Sequence, residues 1–152
     1  MIEKKCRVCK STGETVGLLF KCFTCSAVHW DKPQLKKIFK IVKKGSEEFI
    51  KLKNNLLNEA QVPKSKGKYV YTLRLRGKIK YLYVGMTGLH PYHRYLNHVI
   101  GYKSSKYAKK YATAMIEYEG PMKNELAIKR ECDKGNELRA EGFEVEGAPF
   151  EI

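Results

Sequence analysis

The sequence lacks any stretch long and apolar enough to span a membrane, because no run approaches the roughly 20 apolar residues that a spanning helix needs. The first ten residues, MIEKKCRVCK, also lack the apolar core of a secretory signal peptide. We therefore expect an intracellular protein of the cytoplasm or nucleoid, without a membrane partner. In that environment thiols stay reduced, which disfavours structural disulfides.

Acidic residues are missing from the whole stretch between Glu59 and Glu117, which holds twelve lysines and arginines. All ten tyrosines lie between Tyr69 and Tyr118, and the formal net charge of the chain is +14. This balance favours a polyanionic partner, most simply nucleic acid. Cations among aromatic rings suit a surface that follows phosphates and stacks on bases, although a solvated lysine face over half-buried tyrosines explains the pattern equally well. The predicted nucleic-acid contacts are Lys80, Lys103, Lys106, Lys109 and Lys110.

Four of the five cysteines form two C-x2-C pairs, CRVC and CFTC. Two residues between cysteines let a tight turn direct both sulfurs at one point, and two such pairs suit structural zinc. Two disulfides or unconnected thiols are the alternatives. His29 is a further donor, but four cysteines already fill the shell, so we expect His29 and Trp30 to pack against this module and Cys132 to be a buried small side chain. The predicted zinc ligands are Cys6, Cys9, Cys22 and Cys25.

The patterning divides the 152 residues into three parts. Residues 1–31 form the N-terminal module, residues 32–67 a helical connector with a linker, and residues 68–152 a domain of strands and helices. We expect an α+β fold, in which a small antiparallel sheet flanked by helices follows a zinc-ribbon-like module and the connector. In the connector, one helix is predicted from Pro33 to Gly45, and a second is capped by Ser46.

The third part begins with a predicted β-hairpin, KYVYTLRLRGKIKYLYVG. A turn centred on Gly77 would place Tyr71 directly opposite Tyr83, on one face of the sheet. Two helices are expected in HPYHRYLNHVIG and SSKYAKKY, and a strand in ATAMIEYEG. A last helix, weakened at Gly135, and a short strand in FEVEG complete the domain.

Residues 68–147 resemble the GIY-YIG nuclease family. The two half-motifs are matched by YVY at 69–71 and YVG at 83–85, and the segments HRYLNH, SSKYAKKY, ELAIKRE and LRAEGFEV follow in the family's order. The resemblance implies a small antiparallel sheet with packed helices, and hydrolysis of phosphodiester bonds in nucleic acid with a divalent metal. The target is left open between duplex, branched or single-stranded DNA and RNA. The implied site residues are Tyr71, Tyr83, Arg94, His98 and Glu131.

These residue types suit phosphodiester hydrolysis. Arg94 offers a planar fork of donors that fits a phosphate, and Glu131 offers a hard oxygen ligand for Mg²⁺ or Mn²⁺. The resemblance implies that Tyr71 takes the proton of the attacking water. We expect nearby cations to favour its phenolate and His98, one helical turn after Arg94, to relay the proton or to contact the phosphate. Glu125 is the next candidate for the metal ligand.

The sequence thus predicts a metal-dependent DNA endonuclease with a zinc module that aids substrate binding. The alternative is a non-catalytic nucleic-acid-binding or adaptor protein that contains zinc and retains a degenerate nuclease fold. Each candidate residue alone fits an ordinary structural role. It is the ordered set, on a strongly basic chain, that favours the enzyme.

Overall fold

The computed structural model describes residues 5–76, 81–104 and 106–147, with only the backbone of Lys106 and Tyr107. Five helices and seven strands lie in these ranges. In chain order they are β1 (Gly13–Val16), β2 (Leu19–Cys22), β3 (Val28–Trp30), α1 (Lys32–Phe39), α2 (Glu47–Glu59), β4 (Lys68–Leu75), β5 (Tyr81–Thr87), α3 (Pro91–Ile100), α4 (Lys106–Tyr111), β6 (Ala112–Met122), α5 (Asn124–Ala140) and β7 (Glu144–Glu146).

The strands form one seven-stranded sheet in the order β1-β2-β3-β6-β4-β5-β7. The predicted α+β class is confirmed. The expectation of an antiparallel sheet is wrong in one respect, because β7 runs parallel to β5. The reason is that α5 crosses one face of the sheet before β7 begins, and such a crossover can return the chain in the direction of an earlier strand. The sheet is therefore mixed.

The strands of the N-terminal module belong to the same sheet as those of the third part. β3 pairs with β6, where Val28 lies opposite Met115. The small core of the module contains Cys6 and Phe20. Trp30 was expected to pack there, but it is fully buried in the main core instead. Trp30 is the last residue of β3 and lies just before α1. From this position its side chain extends into the main core rather than toward the cysteines.

The helices of the connector begin where their caps predict. The Asp31 side chain accepts from the backbone N–H of Gln34 at the start of α1, and Ser46 caps α2. The predicted extension of α1 to Gly45 is wrong, since the helix ends at Phe39. Beyond the helix end, Ile41 is 93% exposed, so this residue adds no apolar contact that would favour a longer helix. Within the described ranges, no helix is long and apolar enough to cross a membrane.

Two apolar clusters cover the two faces of the sheet. On one face, side chains from α1, α2 and α3 pack against Tyr71 and Leu73 of β4. On the other face, Ala127 and Leu138 of α5 pack against β4 and β5. α5 is continuous through Gly135, contrary to the predicted weakness. The ion pair from Arg130 to Glu137 spans the glycine at 2.9 Å, while Leu138 anchors the following turn in the core.

The register between β4 and β5 differs from the predicted one. Tyr71 lies opposite Gly85, and Tyr83 lies opposite Leu73. The predicted turn residue, Gly77, lies outside the described residues. The strand pairing is centred one residue later than Gly77, so the two tyrosines are diagonal neighbours rather than a direct pair. They still share one face of the sheet, with ring centroids 6.2 Å apart.

Candidate functional site

Two strands and the helix that crosses them bring three predicted site residues together. The Tyr71 hydroxyl lies 2.7 Å from Nε2 of His98, and the bond between them is buried. Tyr83 closes the triangle, because its ring centroid lies 5.5 Å from that of His98. α3 is held across this face by its buried side chains and ends at Gly101, whose left-handed backbone (φ +73°) terminates the helix.

Gly85 makes room for the Tyr71 ring. A Cβ atom at this position would lie 2.5 Å from the Tyr71 hydroxyl oxygen, well inside van der Waals contact. Any side chain at residue 85 would therefore move the phenol away from His98. This gives the glycine of the YVG segment a physical role in the site.

Arg94 lies on α3 one turn before His98 and is half-buried. Its Nη1 donates to the backbone carbonyl of Lys103 at 2.8 Å, which anchors one branch of the guanidinium. After burial, which has the largest effect on each group, the Arg94 charge acts on the pKa of both tyrosines and of His98. The guanidinium thus lies beside the aromatic triangle, where it can meet an anion.

Glu131 reaches the site from α5. Burial raises the pKa of its half-buried carboxyl, and the backbone N–H of Met86 partly offsets that rise. β7 pairs with β5 only at Tyr81–Tyr83, so Met86 lies beyond the paired part of this edge. Burial raises the pKa of Tyr83, and the Glu131 charge raises it slightly further.

Two of the cations close to Glu131 in sequence pair with other carboxylates. Arg130 pairs with Glu119 at 2.7 Å and with Glu137, and Lys134 pairs with Glu117. Across the described residues, Glu131 forms no ion pair of its own. A partly desolvated carboxylate without a cation is well suited to bind one.

The protonation states differ from the sequence expectation in one respect. Burial raises the pKa of Tyr71 far above its ordinary value, the Tyr83 phenol raises it further, and the opposing Arg94 charge does not compensate. The expectation that nearby cations favour the phenolate is therefore wrong for the protein alone, because desolvation dominates. Burial, helped by the Arg94 charge, lowers the pKa of His98 to about 3. At neutral pH, Tyr71 is thus a phenol and His98 a neutral imidazole.

Ser104 completes the hydrogen-bond chain and is a residue that sequence reasoning missed. Its Oγ lies 2.8 Å from Nδ1 of His98. Because both hydroxyls can donate or accept, one compatible arrangement has Nδ1–H donate to Oγ while Nε2 accepts from Tyr71. Ser104 is the first residue of the SSKYAKKY segment, which was identified from the sequence as a helix without a role for this serine in the site.

The buried state of His98 predicts a fold that loses stability in acid. The folded pKa of about 3 lies below the unfolded value of about 6.5, so the unfolded chain binds the proton first. The free energy of unfolding should therefore fall as pH drops below about 6.5. At pH 5 this histidine alone should cost about 2 kcal/mol. Urea unfolding at pH 7.5 and pH 5.0 measures the loss.

The control for this prediction is His98→Asn, which keeps a polar side chain but cannot titrate. Between pH 7.5 and 5.0 it should lose about 2 kcal/mol less stability than the unaltered protein. The comparison between the two pH values cancels any fixed cost of the substitution. An equal loss in both proteins would show that His98 is not the titrating group.

The four predicted zinc ligands do cluster. Their Sγ atoms lie within 4.8 Å of one another, with Cys6 3.6 Å from Cys25 and Cys9 3.5 Å from Cys22. A disulfide would bring two sulfurs to about 2.05 Å. A tetrahedral zinc with bonds of about 2.3 Å sets sulfur–sulfur edges of about 3.8 Å. The arrangement therefore fits a metal ion such as zinc and does not fit two disulfides.

The two cysteine pairs adopt the same turn. The N–H of Cys6 donates to the carbonyl of Ser11, and that of Cys22 donates to Ala27. The residue after each second cysteine, Lys10 or Ser26, has a positive φ of 66° or 62°. Backbone N–H groups also point at the sulfurs, for example from Thr24 to Cys22 Sγ at 3.3 Å. Such donors stabilise thiolates, which are the form that binds metal.

The N-terminal module is tied to the rest of the fold at several points. Trp30 Nε1 donates to the backbone carbonyl of Tyr92 on α3 at 3.1 Å. Arg7, inside the first cysteine pair, donates to the carbonyl of Thr113 on β6 at 3.0 Å. His29 stacks on Phe20, with ring centroids 4.5 Å apart, as predicted for a residue packed against the module. The predicted burial of Cys132 is only partial.

Cations gather where α4, α1, β4 and the N-terminal module meet. Lys32 Nζ donates to the backbone carbonyl of Lys109 at 2.8 Å. Burial lowers the pKa of Lys32, and the positive charges of Lys36, Arg76, Arg7 and Lys109 lower it further. Because these positive charges repel one another, binding of an anionic partner to this surface would be electrostatically favourable.

The predicted lysines are distributed around this surface and the site. Lys103, Lys109 and Lys110 are exposed, and the carbonyl of Lys103 holds Arg94. Lys80 lies outside the described residues, and so does the side chain of Lys106. All five residues of the predicted catalytic set lie in the described segments: Tyr71, Tyr83, Arg94 and His98 lie together beneath α3, while Glu131 lies on α5 beside the backbone of Met86. No protein-family model, curated protein or solved structure matches this chain.

Proposed function

We propose that this protein is a metal-dependent endonuclease that hydrolyses phosphodiester bonds in DNA, similar to the GIY-YIG nucleases. One observation carries the proposal. The buried hydrogen bond between Tyr71 and His98, with Tyr83 and the Arg94 guanidinium beside it, supports this proposal, because these residue types suit phosphate hydrolysis. Structural packing alone gives no reason for a buried Tyr71–His98 hydrogen bond beside a guanidinium and an unpaired carboxylate.

The donors around Glu131 fit a Mg²⁺ or Mn²⁺ ion. Mg²⁺ is often held by only one or two carboxylates, with water and substrate phosphate as the other ligands. Glu131 supplies such a carboxylate, partly desolvated and free of any ion pair among the described residues. When bound there, the ion stabilises negative charge on the phosphate and on the leaving oxygen.

The other side chains of the site bind the phosphate and transfer the proton in this proposal. Arg94 keeps guanidinium donors for a phosphate oxygen while Lys103 fixes its orientation. Tyr71 cannot act as a base while it retains its own proton, so a partner must accept that proton. Neutral His98, at 2.7 Å, is that partner. A phosphate paired with Arg94 would offset the positive charge that disfavours protonation of His98.

The proposed base is therefore the Tyr71–His98 pair rather than Tyr71 alone. As the phenol takes a proton from water, its own proton passes to Nε2 of His98. Ser104 then accepts a hydrogen bond from Nδ1–H throughout the step, which orients the ring. The Tyr83 ring packs against His98 and limits the access of solvent to the Tyr71–His98 pair.

The basic surface supplies the substrate contacts in this proposal. The cations around Lys32 come from the N-terminal module, α1, β4 and α4, so a DNA backbone that crosses them would touch all four segments. Arg7 brings the module into this surface directly. A zinc ion in the cysteine cluster would fix that contribution by holding the first cysteine pair in its turn.

Binding should therefore depend steeply on salt. Replacing Lys103, Lys109 and Lys110 with Gln should reduce the slope of log affinity against log salt by about 0.9 for each lost phosphate contact. Fluorescence anisotropy with duplex DNA at several salt concentrations measures this slope. The matched control replaces three exposed lysines outside the acid-free stretch, Lys37, Lys51 and Lys129, with Gln. If the two triple variants gave equal slopes, Lys103, Lys109 and Lys110 would not form the DNA-binding surface.

The activity itself is tested with supercoiled plasmid and with branched and single-stranded DNA, each in Mg²⁺ or in EDTA. Nicking or linearisation in Mg²⁺ alone is the expected result. A protein that binds these substrates but cuts none in Mg²⁺ or Mn²⁺ would instead be the non-catalytic binding protein. Loss of cutting in Arg94→Ala and Tyr71→Phe excludes a contaminating nuclease.

A further inference from the structure

Four aromatic rings form a cluster at the start of α3, apart from the proposed catalytic residues. Each ring contacts at least two of the others, with centroids between 4.8 and 6.1 Å apart. The contacts are tilted or edge-to-face, which are the arrangements that aromatic pairs prefer. The four rings therefore hold one another in fixed orientations. They belong to Tyr69, His90, Tyr92 and Tyr118.

Two of these rings are buried and support two that reach the surface. Tyr69 and His90 are buried, whereas Tyr92 is partly buried and Tyr118 is 38% exposed. Nδ1 of His90 accepts from the backbone N–H of Tyr92 at 3.1 Å, which fixes the His90 ring below its neighbours. An exposed ring that is already held in place offers a flat apolar surface, and a ligand that stacks on it pays little ordering entropy.

Lysines lie beside the cluster. Nζ of Lys21, on β2, lies 5.9 Å from the centroid of the Tyr92 ring. The backbone N–H of Lys66 donates to the Tyr69 hydroxyl at 3.1 Å, and Lys66 is exposed. The aromatic surface is therefore bordered by cations from two separate segments, one of them in the N-terminal module.

The acids of β6 face away from the cluster. Alternation along the strand puts Tyr118 on the face that α3 covers, and Glu117 and Glu119 on the opposite face. There Glu119 pairs with Arg130 at 2.7 Å, and Glu117 pairs with Lys134. Because α5 neutralises both carboxylates, they do not weaken the attraction of the cluster for an anion.

Exposed aromatic rings next to lysines match the chemistry of an unpaired nucleotide. Every base has a π-face that stacks on an aromatic side chain, and its phosphate attracts lysine. Within a duplex, neighbouring base pairs cover both faces of a base, so only an unpaired base can stack on a protein ring. Tyr118 lies directly opposite Tyr71 in the pairing of β6 with β4. A base on Tyr118 would therefore lie one strand away from the proposed Tyr71–His98 base.

We propose that Tyr92 and Tyr118 form a stacking surface for the unpaired bases of a DNA strand, whose phosphates contact Lys21 and Lys66. The inference rests on the proposed function for the choice of DNA as partner, and it adds a substrate class to that function. The preferred substrates are strands with unpaired nucleotides next to the cut, such as single-stranded or branched DNA.

The first test measures binding by the full chain without added Mg²⁺ or Mn²⁺, so that no strand is cut. Fluorescence anisotropy compares a labelled deoxythymidine oligonucleotide with a duplex of the same length. Tyr118→Leu keeps an apolar side chain but removes the ring. It should bind the single strand about tenfold more weakly, as expected for one lost base–aromatic stack, and should bind the duplex normally. No loss with the single strand, or an equal loss with both substrates, overturns the proposal.

Two further variants control this measurement. Tyr118→Phe keeps the ring and should bind the single strand as the unaltered protein does. Phe23→Leu removes a ring that is 69% exposed in the second cysteine pair, outside the cluster, and should also bind normally. If Tyr118→Phe bound as weakly as Tyr118→Leu, the hydroxyl rather than the ring would make the contact, and the stacking proposal would be wrong.

NMR of the tyrosine rings tests stacking in the unaltered protein. The ring resonances are recorded while the deoxythymidine oligonucleotide is added, and Tyr118→Phe assigns the Tyr118 signals. We expect a saturable shift with the oligonucleotide and none with deoxyribose 5-phosphate, which has no base. Unchanged Tyr118 signals, or an equal shift with the sugar phosphate, overturn the proposal.

The outcomes separate this inference from the proposed function. A protein that cuts plasmid but whose Tyr118 does not respond to single strands keeps the proposed function and loses only the stacking surface. A protein that binds single strands through Tyr118 but cuts none of the substrates keeps the stacking surface and loses the proposed function.

Discussion

Glu131→Gln is expected to bind DNA at least as tightly as the unaltered protein and to cut it slower by a factor on the order of a thousand or more. The amide keeps the size and the helix position of the carboxylate but lacks the charge that a hard divalent cation requires. Loss of the ion removes several kcal/mol of transition-state stabilisation, and each 1.4 kcal/mol or so is tenfold in rate. Binding is spared because Arg94 and the lysines contact the phosphates.

The structure sharpens this experiment. The site has one unpaired, half-buried carboxylate, whereas Glu125 is exposed in the first turn of the same helix. Glu125→Gln is therefore the matched control and should cut normally. Gel shift and cleavage are measured on the same preparations. If Glu131→Gln cut at a near-normal rate while Glu125→Gln failed, the metal would belong to the N-terminal end of α5.

Cys22→Ser is expected to abolish zinc binding and to unfold the N-terminal module. Three thiolates and a hydroxyl do not reproduce the tetrahedral thiolate shell, and zinc binding free energy is folding free energy in modules this small. The cluster around Cys6 and Phe20 is small, so the two cysteine turns and β1 depend on the metal, whereas β2 and β3 also pack into the main core. Elemental analysis should give about one zinc per chain before the substitution and none after it.

Cys132→Ser is the control for that experiment, because Cys132 is a thiol far from the cluster in sequence and only partly buried. It should retain the zinc and the melting temperature. Cys22→Ser should also cut more slowly, since Trp30 of the module donates to Tyr92 on the helix that carries Arg94 and His98. An unaltered protein without zinc, with its cysteines paired in disulfides, would contradict the prediction.

Local signals in the sequence predicted most elements of the fold. Ser46, the C-x2-C spacing and the strand alternation around Tyr71 each act within a few residues, so the chain reveals them directly. The hairpin register was not predictable in the same way. It depends on a turn whose length the pattern does not fix, and an error of one residue in its centre moved Tyr83 from a direct to a diagonal neighbour of Tyr71.

The candidate site was predictable as a set of residues, but its electrostatics were not. Motif order identified Tyr71, Arg94 and Glu131, and the structure has Arg94 beside Tyr71. The protonation of Tyr71 depends on burial, which arises only when α3 covers the sheet. Ser104 opens the SSKYAKKY segment, which was singled out from the sequence, but its contact with His98 depends on how this segment packs against α3. Long-range packing therefore accounts for what sequence reasoning missed.

The pairing between β3 and β6 has a consequence for solubility. β3 and the Arg7 side chain occupy the outer edge of β6 near Met115 and Thr113. Without the N-terminal module, β6 would be a terminal strand with free backbone N–H and carbonyl groups beside apolar Ala114, a ready template for strand addition by a second chain. Its later half carries Glu117 and Glu119, whose charges discourage such contacts. The cysteine cluster thus also protects the protein against edge-to-edge aggregation, and zinc-depleted chains should associate through the first half of β6.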